Sequence, residues 1–216
     1  MPLNDKLKSL HKDVINSLPS DVSKKLLQEN EKLFSNFLYE KILKKGSKIP
    51  DVFFRDSVLE AHYLSDILKD QHVVLSFFRG TWCPYCNLEL KALSNINNEI
   101  KEKGARLIAV SPELYKFSKK SLQENNIDYD VMTDLGNKAA KEFGLAFKLP
   151  QEYRDIYAKL NIHLNTLNGE DNWILPVPAT FIISKDGTVI STYINADYTK
   201  RMEPEDILGA LDILNS

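Results

Sequence analysis

The chain has two cysteines, Cys83 and Cys86, and both lie in the five-residue stretch Trp82-Cys83-Pro84-Tyr85-Cys86. This stretch follows an apolar run from His72 to Phe78 that is typical of a buried strand. Two thiols separated by two residues at the end of a strand can carry electrons by opening and closing as a disulfide. The residue types and their spacing therefore indicate a dithiol redox site.

The residues after the first cysteine have helical spacing, which places the two thiols at different positions of the helix. Pro84 suits the first position of a helix, because its missing N–H would have no intrahelical partner there. Cys83 then lies at the helix N-terminus, where free backbone N–H groups and the helix dipole stabilise a thiolate. Cys86 lies one turn further on the same face, within disulfide reach. We expect Cys83 to attack and Cys86 to resolve the mixed disulfide.

Other uses of two close cysteines are less well supported. A zinc site needs two more ligands, and the histidines do not form a closely spaced pair of the kind such sites use. The four histidines are His11, His62, His72 and His163. A structural disulfide is uncommon in a reducing compartment. Two inert core cysteines remain an alternative, but Trp82 and Pro84 beside them favour a functional site. We expect no metal and no cofactor.

Composition restricts the class of protein. The 216 residues, 43% of them hydrophobic and 27% charged, suffice for one globular core plus an extension. A net charge of -2 gives no indication of nucleic acid or an anionic membrane as a partner. The N-terminal residues lack a secretory pattern, and no apolar run approaches the roughly 18 residues of a membrane span. We expect a cytoplasmic protein, where a close cysteine pair is more often catalytic than structural.

Residues 1–45 show helical patterning without a strand signal. From Ser20, a residue suited to the N-cap, apolar residues recur at helical spacing until Gly46. These residues are Val22, Leu26, Leu27, Leu33, Phe34, Phe37, Leu38, Ile42 and Leu43. The apolar face must be buried, either against the rest of the chain or against a second copy in a homodimer. Packing within the chain is the simpler expectation.

Strands and helices alternate in residues 46–216. The patterns predict strands near residues 73–78, 107–110, 128–132, 180–184 and 188–193, and helices over 84–102, from 111, over 134–143 and from 203. The last two strands flank Asp186-Gly187, a hairpin signal. This order predicts an α/β domain of three layers. Residues 144–175 interrupt the alternation, and we expect them to form a surface insertion that overhangs the site.

A second candidate half of the site is Pro176-Val177-Pro178-Ala179-Thr180, which directly precedes an apolar strand. Proline cannot donate to a sheet ladder, so two prolines at this place are unusual. Either Pro178 is cis and leaves the backbone of Val177 free to meet a substrate, or both bonds are trans at the entry to an edge strand. The local sequence alone leaves both alternatives open.

The strand and motif from Val73 to Leu90 resemble the alkyl hydroperoxide reductase/thiol-specific antioxidant (peroxiredoxin) family of the thioredoxin superfamily, in a bacterial branch with a Cys-x-x-Cys motif. The resemblance continues through Val110-Ser111-Pro112, Asp134-Leu135-Gly136-Asn137, Pro176 to Ile183 and Asp197-Tyr198-Thr199-Lys200-Arg201. It covers about residues 46–216 and implies a thioredoxin-like fold with a central mixed sheet and with Pro178 cis, opposite the cysteines. It also implies a hydroperoxide or disulfide substrate and a thioredoxin or glutathione-type reductant.

The sequence departs from the family pattern at two positions. Aligning the family's peroxide-attacking cysteine with Cys86 puts Cys83 in place of the usual threonine, and Pro178 falls where the usual arginine stands. Thr81 and Arg79 are close enough in sequence to replace these two residues. Arg79 either lowers the pKa of a neighbouring thiolate or is a surface cation at a strand end. The residues expected to shape the substrate site are Arg79, Thr81, Trp82, Pro84, Tyr85, Val177 and Pro178.

Three functions follow from these observations. The first is a thiol peroxidase, which the family resemblance favours. The second is a thiol–disulfide oxidoreductase, which the missing threonine and arginine favour, as does Cys83-Pro84-Tyr85-Cys86, a motif identical to that of glutaredoxins. The third is a redox sensor whose N-terminal helices report the state of the cysteines to a partner.

Overall fold

The computed structural model describes residues 1–37 and 39–214. Leu38, which we assigned to the apolar stripe, and the last two residues of the predicted domain lie outside the described residues. The helices are α1 (Leu3–Ser17), α2 (Ser20–Asn36), α3 (Leu64–Leu68), α4 (Pro84–Glu102), α5 (Tyr115–Glu124), α6 (Lys138–Glu142), α7 (Gln151–Lys159), α8 (Leu164–Asn168) and α9 (Pro204–Leu214). Short 3-10 helices cover Tyr39–Lys41 and Leu135–Asn137.

The strands form one large sheet and one small one. They are β1 (Phe53–Arg55), β2 (Ala61–Tyr63), β3 (His72–Phe77), β4 (Ala105–Ser111), β5 (Asp130–Thr133), β6 (Ala146–Lys148), β7 (Ile174–Pro176), β8 (Ala179–Ile183) and β9 (Val189–Ile194). The seven-stranded sheet has the order β2-β1-β5-β4-β3-β8-β9. Strands β3, β4 and β5 are parallel, whereas β8 runs antiparallel to β3. The predicted mixed central sheet is confirmed.

Alternating residues of β3 face two different hydrophobic clusters, which makes the fold three-layered. Val73, Leu75 and Phe77 pack with residues of α3 and α6. Val74 packs on the opposite face with residues of α4 and α9. The strand is buried on both faces, which explains why its sequence is a continuous apolar run.

The two N-terminal helices pack within the chain. Leu3 and Leu7 of α1 join a cluster that contains both cysteines. Val22 and Leu26 of α2 pack against Tyr153 and other residues of α7. The helical stripe ends earlier than predicted, because α2 stops at Asn36 and the chain continues into a 3-10 turn. No helix in the described part of the chain is both long and apolar enough to span a bilayer.

Residues 144–175 carry the small antiparallel sheet of β6 and β7 together with α7 and α8. Their apolar side chains join the α2 side chains in one cluster that also touches Trp82. Helices α1 and α2 and the insertion are therefore the elements that cover the end of β3 where the cysteines lie.

Candidate active site

The turn between β3 and α4 places the two cysteines. Gly80 has a φ of 150°, and the Cys83 N–H donates to the Gly80 carbonyl at 3.2 Å. Cys83 is the N-cap residue of α4 and Pro84 occupies the first turn. A side chain on Gly80 would collide with the indole of Trp82, because a Cβ atom there would lie 2.2 Å from Trp82 Nε1. The glycine thus allows the indole to cover the turn.

Cys83 and Cys86 are free thiols, and both are 0% exposed. They belong to a cluster with Phe78, Tyr85 and Tyr198, against which α1 packs. The only strongly exposed residue of the motif is Pro84. A substrate therefore reaches either sulfur only when the surrounding side chains move.

Arg79 is 6% exposed and binds the first cysteine directly. Its Nη2 donates to the Cys83 sulfur at 3.0 Å, and its Nη1 donates to the Tyr157 hydroxyl at 3.2 Å. The guanidinium carbon lies 3.7 Å from the centroid of the Tyr198 ring and 5.1 Å from that of Trp82. Arg79 Nε has no hydrogen-bond partner in the described part of the chain. The surface-cation alternative for Arg79 is wrong.

Arg201 serves the second cysteine. Its Nη2 lies 3.5 Å from the Cys86 sulfur, and its Nε donates to the Glu89 carboxylate. Both members of this ion pair have side chains that are 2% exposed. Helical spacing alone favours a solvated position for Glu89, but its carboxylate is buried and pairs with a cation 112 positions away in the chain.

The charges around the thiols move their pKa values in opposite directions. Burial by itself raises the pKa of Cys83, but a hydrogen bond from Cys86 and the positive charges of Arg79 and Arg201 outweigh burial and hold the pKa well below its usual range. Burial and the adjacent Cys83 thiolate raise the pKa of Cys86 well above its usual range. These opposite shifts favour the thiolate at Cys83 and the neutral thiol at Cys86, as a nucleophile and its resolving partner require.

Thr81 is buried, but its hydroxyl donates to a carboxylate and not to a cysteine sulfur. Its N–H and hydroxyl both donate to the same Glu113 oxygen, at 2.7 and 2.9 Å. Burial raises the pKa of Glu113, although these two donors oppose the shift. Of the two replacements suggested by the sequence, only Arg79 contacts a cysteine.

Tyr85 and Trp82 contact different covering elements of the site. The Tyr85 hydroxyl is 2.8 Å from His11 Nδ1 on α1, and its ring packs against that of Tyr198 at 5.6 Å. The indole of Trp82 meets the ring of Tyr157 on α7 edge-on, with 5.5 Å between centroids. The extension and the insertion each touch one aromatic residue of the motif.

Pro178 lies directly before β8, whose first residue Ala179 pairs with Phe77 at the end of β3. The register therefore brings Val177 and Pro178 to the edge where the cysteine turn begins. The expected cis bond is wrong: no cis peptide bond occurs among the described residues. The trans bond is the ordinary preference, and the Val177 N–H is not free because it donates to the Leu145 carbonyl at 2.9 Å.

The zinc alternative has no support from the geometry. Among the described residues, the one group of three side chains close enough to share a metal ion is Asp56, Glu60 and His62, at the edge of the sheet. Neither cysteine belongs to this group.

The family model described as "AhpC/TSA family" matches residues 45–192, which is more than half of the chain. The chain belongs to the AhpC/TSA family. This confirms the predicted family and the prediction of a thiol-dependent redox enzyme.

Curated relatives of this AhpC/TSA protein fall into two groups. It is 29% identical over 158 residues to the thiol-disulfide oxidoreductase ResA of Geobacillus kaustophilus, covering 73% of this chain and 74% of the relative. It is 27% identical over 173 residues to the chloroplastic peroxiredoxin Q of Oryza sativa subsp. japonica, covering 80% and 67%. The first is a thiol-disulfide oxidoreductase by name, and the second is a peroxiredoxin by name.

Solved structures with the same fold include peroxiredoxins. The peroxidoxin BcpB of Mycobacterium tuberculosis superposes with a TM-score of 0.63 at 21% identity, covering 81% of this chain and 99% of that one. Reduced Prx3 of Vibrio vulnificus in complex with hydrogen peroxide gives a TM-score of 0.61 at 19% identity, covering 79% and 99%. These likenesses confirm the thioredoxin-like fold.

Four residues of the site were not predicted to touch the cysteines or their immediate neighbours. Tyr157, Tyr198 and Arg201 contact Arg79 or a sulfur atom, and Asn30 binds the Tyr198 hydroxyl. Tyr198 and Arg201 lie in a stretch that carries the family resemblance, which was a usable signal. Asn30 and Tyr157 lie in ordinary amphipathic helices, where nothing in the local pattern distinguishes them.

Proposed function

We propose that this AhpC/TSA protein reduces hydroperoxides through a Cys83/Cys86 dithiol–disulfide cycle and that an external thiol donor regenerates it. The observation that carries the proposal is the hydrogen bond from the Arg79 guanidinium to the buried Cys83 sulfur. A small opening in the cover admits a hydroperoxide, whereas a protein disulfide needs a much larger one. This difference favours peroxide over the disulfide substrate of the second hypothesis.

In the first step the Cys83 thiolate attacks one oxygen of the hydroperoxide. The S–O bond forms as the O–O bond breaks, so that Cys83 becomes a sulfenic acid and the departing alkoxide takes a proton from water to give an alcohol. Arg79 is suited to stabilise this charge, because it already binds the sulfur and its buried Nε–H has no partner among the described residues. Arg79 thus takes the place of the peroxide-binding arginine of the family pattern.

In the second step Cys86 attacks the sulfur of the Cys83 sulfenic acid. An S–S bond forms, and the departing hydroxide takes the Cys86 thiol proton and leaves as water. Arg201 supports this step, because its positive charge lowers the pKa of Cys86 against the larger effect of burial. A donor dithiol or two molecules of glutathione then reduce the disulfide. We place the cycle in the cytoplasm, where such donors are kept reduced.

Coupled turnover tests the proposal. NADPH oxidation is measured with hydrogen peroxide or cumene hydroperoxide, and either thioredoxin with its reductase or glutathione with its reductase is the donor. Reduction of insulin disulfides by the same protein is measured in parallel. We expect hydroperoxide turnover with at least one donor and slow insulin reduction. Fast insulin reduction, with peroxide consumed no faster than by free cysteine, would establish the thiol–disulfide oxidoreductase instead.

A further inference from the structure

Asn30 on helix α2 is buried, at 4% exposure, and both ends of its amide are used. Its Nδ2 donates to the Tyr198 hydroxyl at 3.0 Å, and its Oδ1 accepts from the Tyr153 hydroxyl at 2.7 Å. Tyr153 belongs to α7 of the insertion, and Tyr198 belongs to the connection between β9 and α9. One side chain of the extension therefore joins three separate parts of the chain.

Tyr198 connects this amide to the redox site. The guanidinium of Arg79 lies on the face of its ring at 3.7 Å, nearer than on the Trp82 ring at 5.1 Å. The other end of Arg79 donates to the Cys83 sulfur. A cation on an aromatic face is stabilised most when both are removed from water, and here both are buried. The orientation of Tyr198 thus determines where the Arg79 charge lies.

We propose that Asn30 is a positioning residue that holds Tyr198 against Arg79 and so keeps the Arg79 guanidinium on the Cys83 sulfur. The inference rests on the proposed role of Cys83 as the attacking thiolate. It makes residues 1–45 part of the redox site rather than an appendage to it. Without the amide, the Tyr198 and Tyr153 hydroxyls are buried and unpaired, which drives both rings to turn towards water.

Several charged or titratable groups surround Cys83, and the effect of a change at Tyr198 adds to the effects of these groups. Arg79 lies in the connection after β3, and Tyr157 lies on α7. Helix α4 contributes Tyr85, Cys86 and Glu89. The connection before α9 contributes Tyr198 and Arg201. The cations are Arg79 and Arg201. Among the described residues, Arg79 is the cation that donates a hydrogen bond to the Cys83 sulfur, whereas Arg201 reaches the Cys86 sulfur, so displacing Arg79 removes a charged contact that the neutral Cys86 thiol cannot replace.

The test measures the pH midpoint of the Cys83 thiolate in the full reduced chain. The thiolate absorbance at 240 nm and the rate of iodoacetamide labelling are followed while the pH is raised from low values, so that Cys83 titrates before Cys86. Asn30→Leu removes both hydrogen bonds at similar volume, and Tyr198→Phe removes only the hydroxyl. We expect both variants to raise the midpoint, and the labelling rate below the midpoint should fall tenfold for every pH unit by which the midpoint rises.

A double variant separates positioning from independent effects. If Asn30 acts through the Tyr198 hydroxyl, Asn30→Leu in the Tyr198→Phe background raises the midpoint little further. Two increases that add fully would overturn the proposal. If Asn30→Leu fails to fold, Tyr198→Phe still decides, because an unchanged midpoint there breaks the proposed link between Asn30 and Arg79.

Val22→Ala is the matched control on the same helix. Val22 is buried against the insertion but has no part in the Asn30 contacts. We expect this variant to lose stability and its Cys83 to react faster with iodoacetamide at every pH, because the cover opens more often. The pH midpoint of Cys83 should stay unchanged. An Asn30→Leu variant that behaves like Val22→Ala would show that Asn30 is only structural. None of these readouts uses peroxide, so they are independent of whether the proposed peroxidase activity is found.

Discussion

The Arg79 Nη2 atom lies 3.0 Å from the Cys83 sulfur, and the two side chains are 6% and 0% exposed. Charges interact more strongly where water is excluded, so this contact has a larger effect on the thiol than a surface arginine has. Pro178 falls where the family resemblance implies an arginine before β8, and Arg79 at the end of β3 places a positive charge on the Cys83 sulfur.

Removing the Arg79 charge is expected to make Cys83 less acidic. The wild-type Cys83 pKa is depressed, so alkylation should keep its full rate well below about pH 8.5, the ordinary thiol pKa. In Arg79→Met the fall in alkylation rate on acidification should begin at a higher pH than in the wild type, because the thiolate loses its cation. Arg106→Met is the control, because Arg106 pairs with Asp130 at a partly exposed surface. Equal midpoints in both variants and the wild type would contradict the assignment.

The same change is expected to alter the reduction potential. A stabilised thiolate favours the reduced dithiol and makes the disulfide a stronger oxidant. Arg79→Met should therefore move the potential to more negative values, by about 30 mV for a tenfold weaker acid at Cys83 with a pKa still below the assay pH. Equilibration with glutathione redox buffers at pH 7 measures it. A potential that stays the same or becomes more positive would contradict the stabilised thiolate.

Replacing each of the two cysteines is expected to block a different step of the cycle. Cys86→Ser should still consume one equivalent of hydroperoxide and accumulate a sulfenic acid on Cys83, which a dimedone adduct detects by mass spectrometry. Cys83→Ser should not form the adduct. Oxidation of Cys86 in the Cys83→Ser variant at the wild-type rate would reverse the roles and would restore the family alignment that places the attacking cysteine at Cys86.

The buried pair of Glu89 and Arg201 is expected to be costly to break. Glu89→Gln leaves the Arg201 charge uncompensated, which should lower the free energy of unfolding by about 3–5 kcal/mol in urea denaturation of the reduced protein. Asp66→Asn is the control, because Asp66 pairs with Lys69 on the exposed surface, where an ion pair contributes little to stability. A Glu89→Gln variant as stable as the control would contradict the claim that Glu89 compensates the buried Arg201 charge.

Gly80 is expected to tolerate no side chain. In Gly80→Ala the new Cβ meets the Trp82 indole, and the φ of 150° is unfavourable for alanine. We expect a loss of about 1–3 kcal/mol in stability and a changed Trp82 emission spectrum. Gly209→Ala is the control: Gly209 lies within α9 with nothing within 4 Å of a new Cβ, and alanine should stabilise the helix by up to about 1 kcal/mol. An unchanged spectrum in Gly80→Ala would contradict the packing of Trp82.

Local patterns were sufficient to predict the central elements. The apolar run at 72–78 and the spacing after Pro84 located β3 and α4, because a doubly buried strand and a helix N-terminus each have a distinct local signature. The end of α2 was missed, since Phe37, Ile42 and Leu43 continue the apolar spacing beyond Asn36, the last residue of the helix.

Contacts between distant segments could not be predicted in this way. Glu89 is buried because Arg201 returns to it from the far end of the chain, and Asn30 matters because Tyr153 and Tyr198 converge on it. None of these residues has a local pattern that identifies its partner. The Pro178 bond was misassigned because the resemblance to the family implied a cis bond that the described backbone does not contain.

The most direct test of the central claim is stopped-flow mixing of the prereduced protein with hydrogen peroxide. The Trp173→Phe variant leaves Trp82, next to Cys83, as the single fluorescent indole. We predict a rapid fluorescence change, first order in peroxide, with loss of both thiols and with a rate that stays constant as the pH falls to the depressed pKa of Cys83. Thiol loss at the rate of free cysteine, rising with pH towards about 8.5, would contradict an arginine-stabilised peroxidatic thiolate.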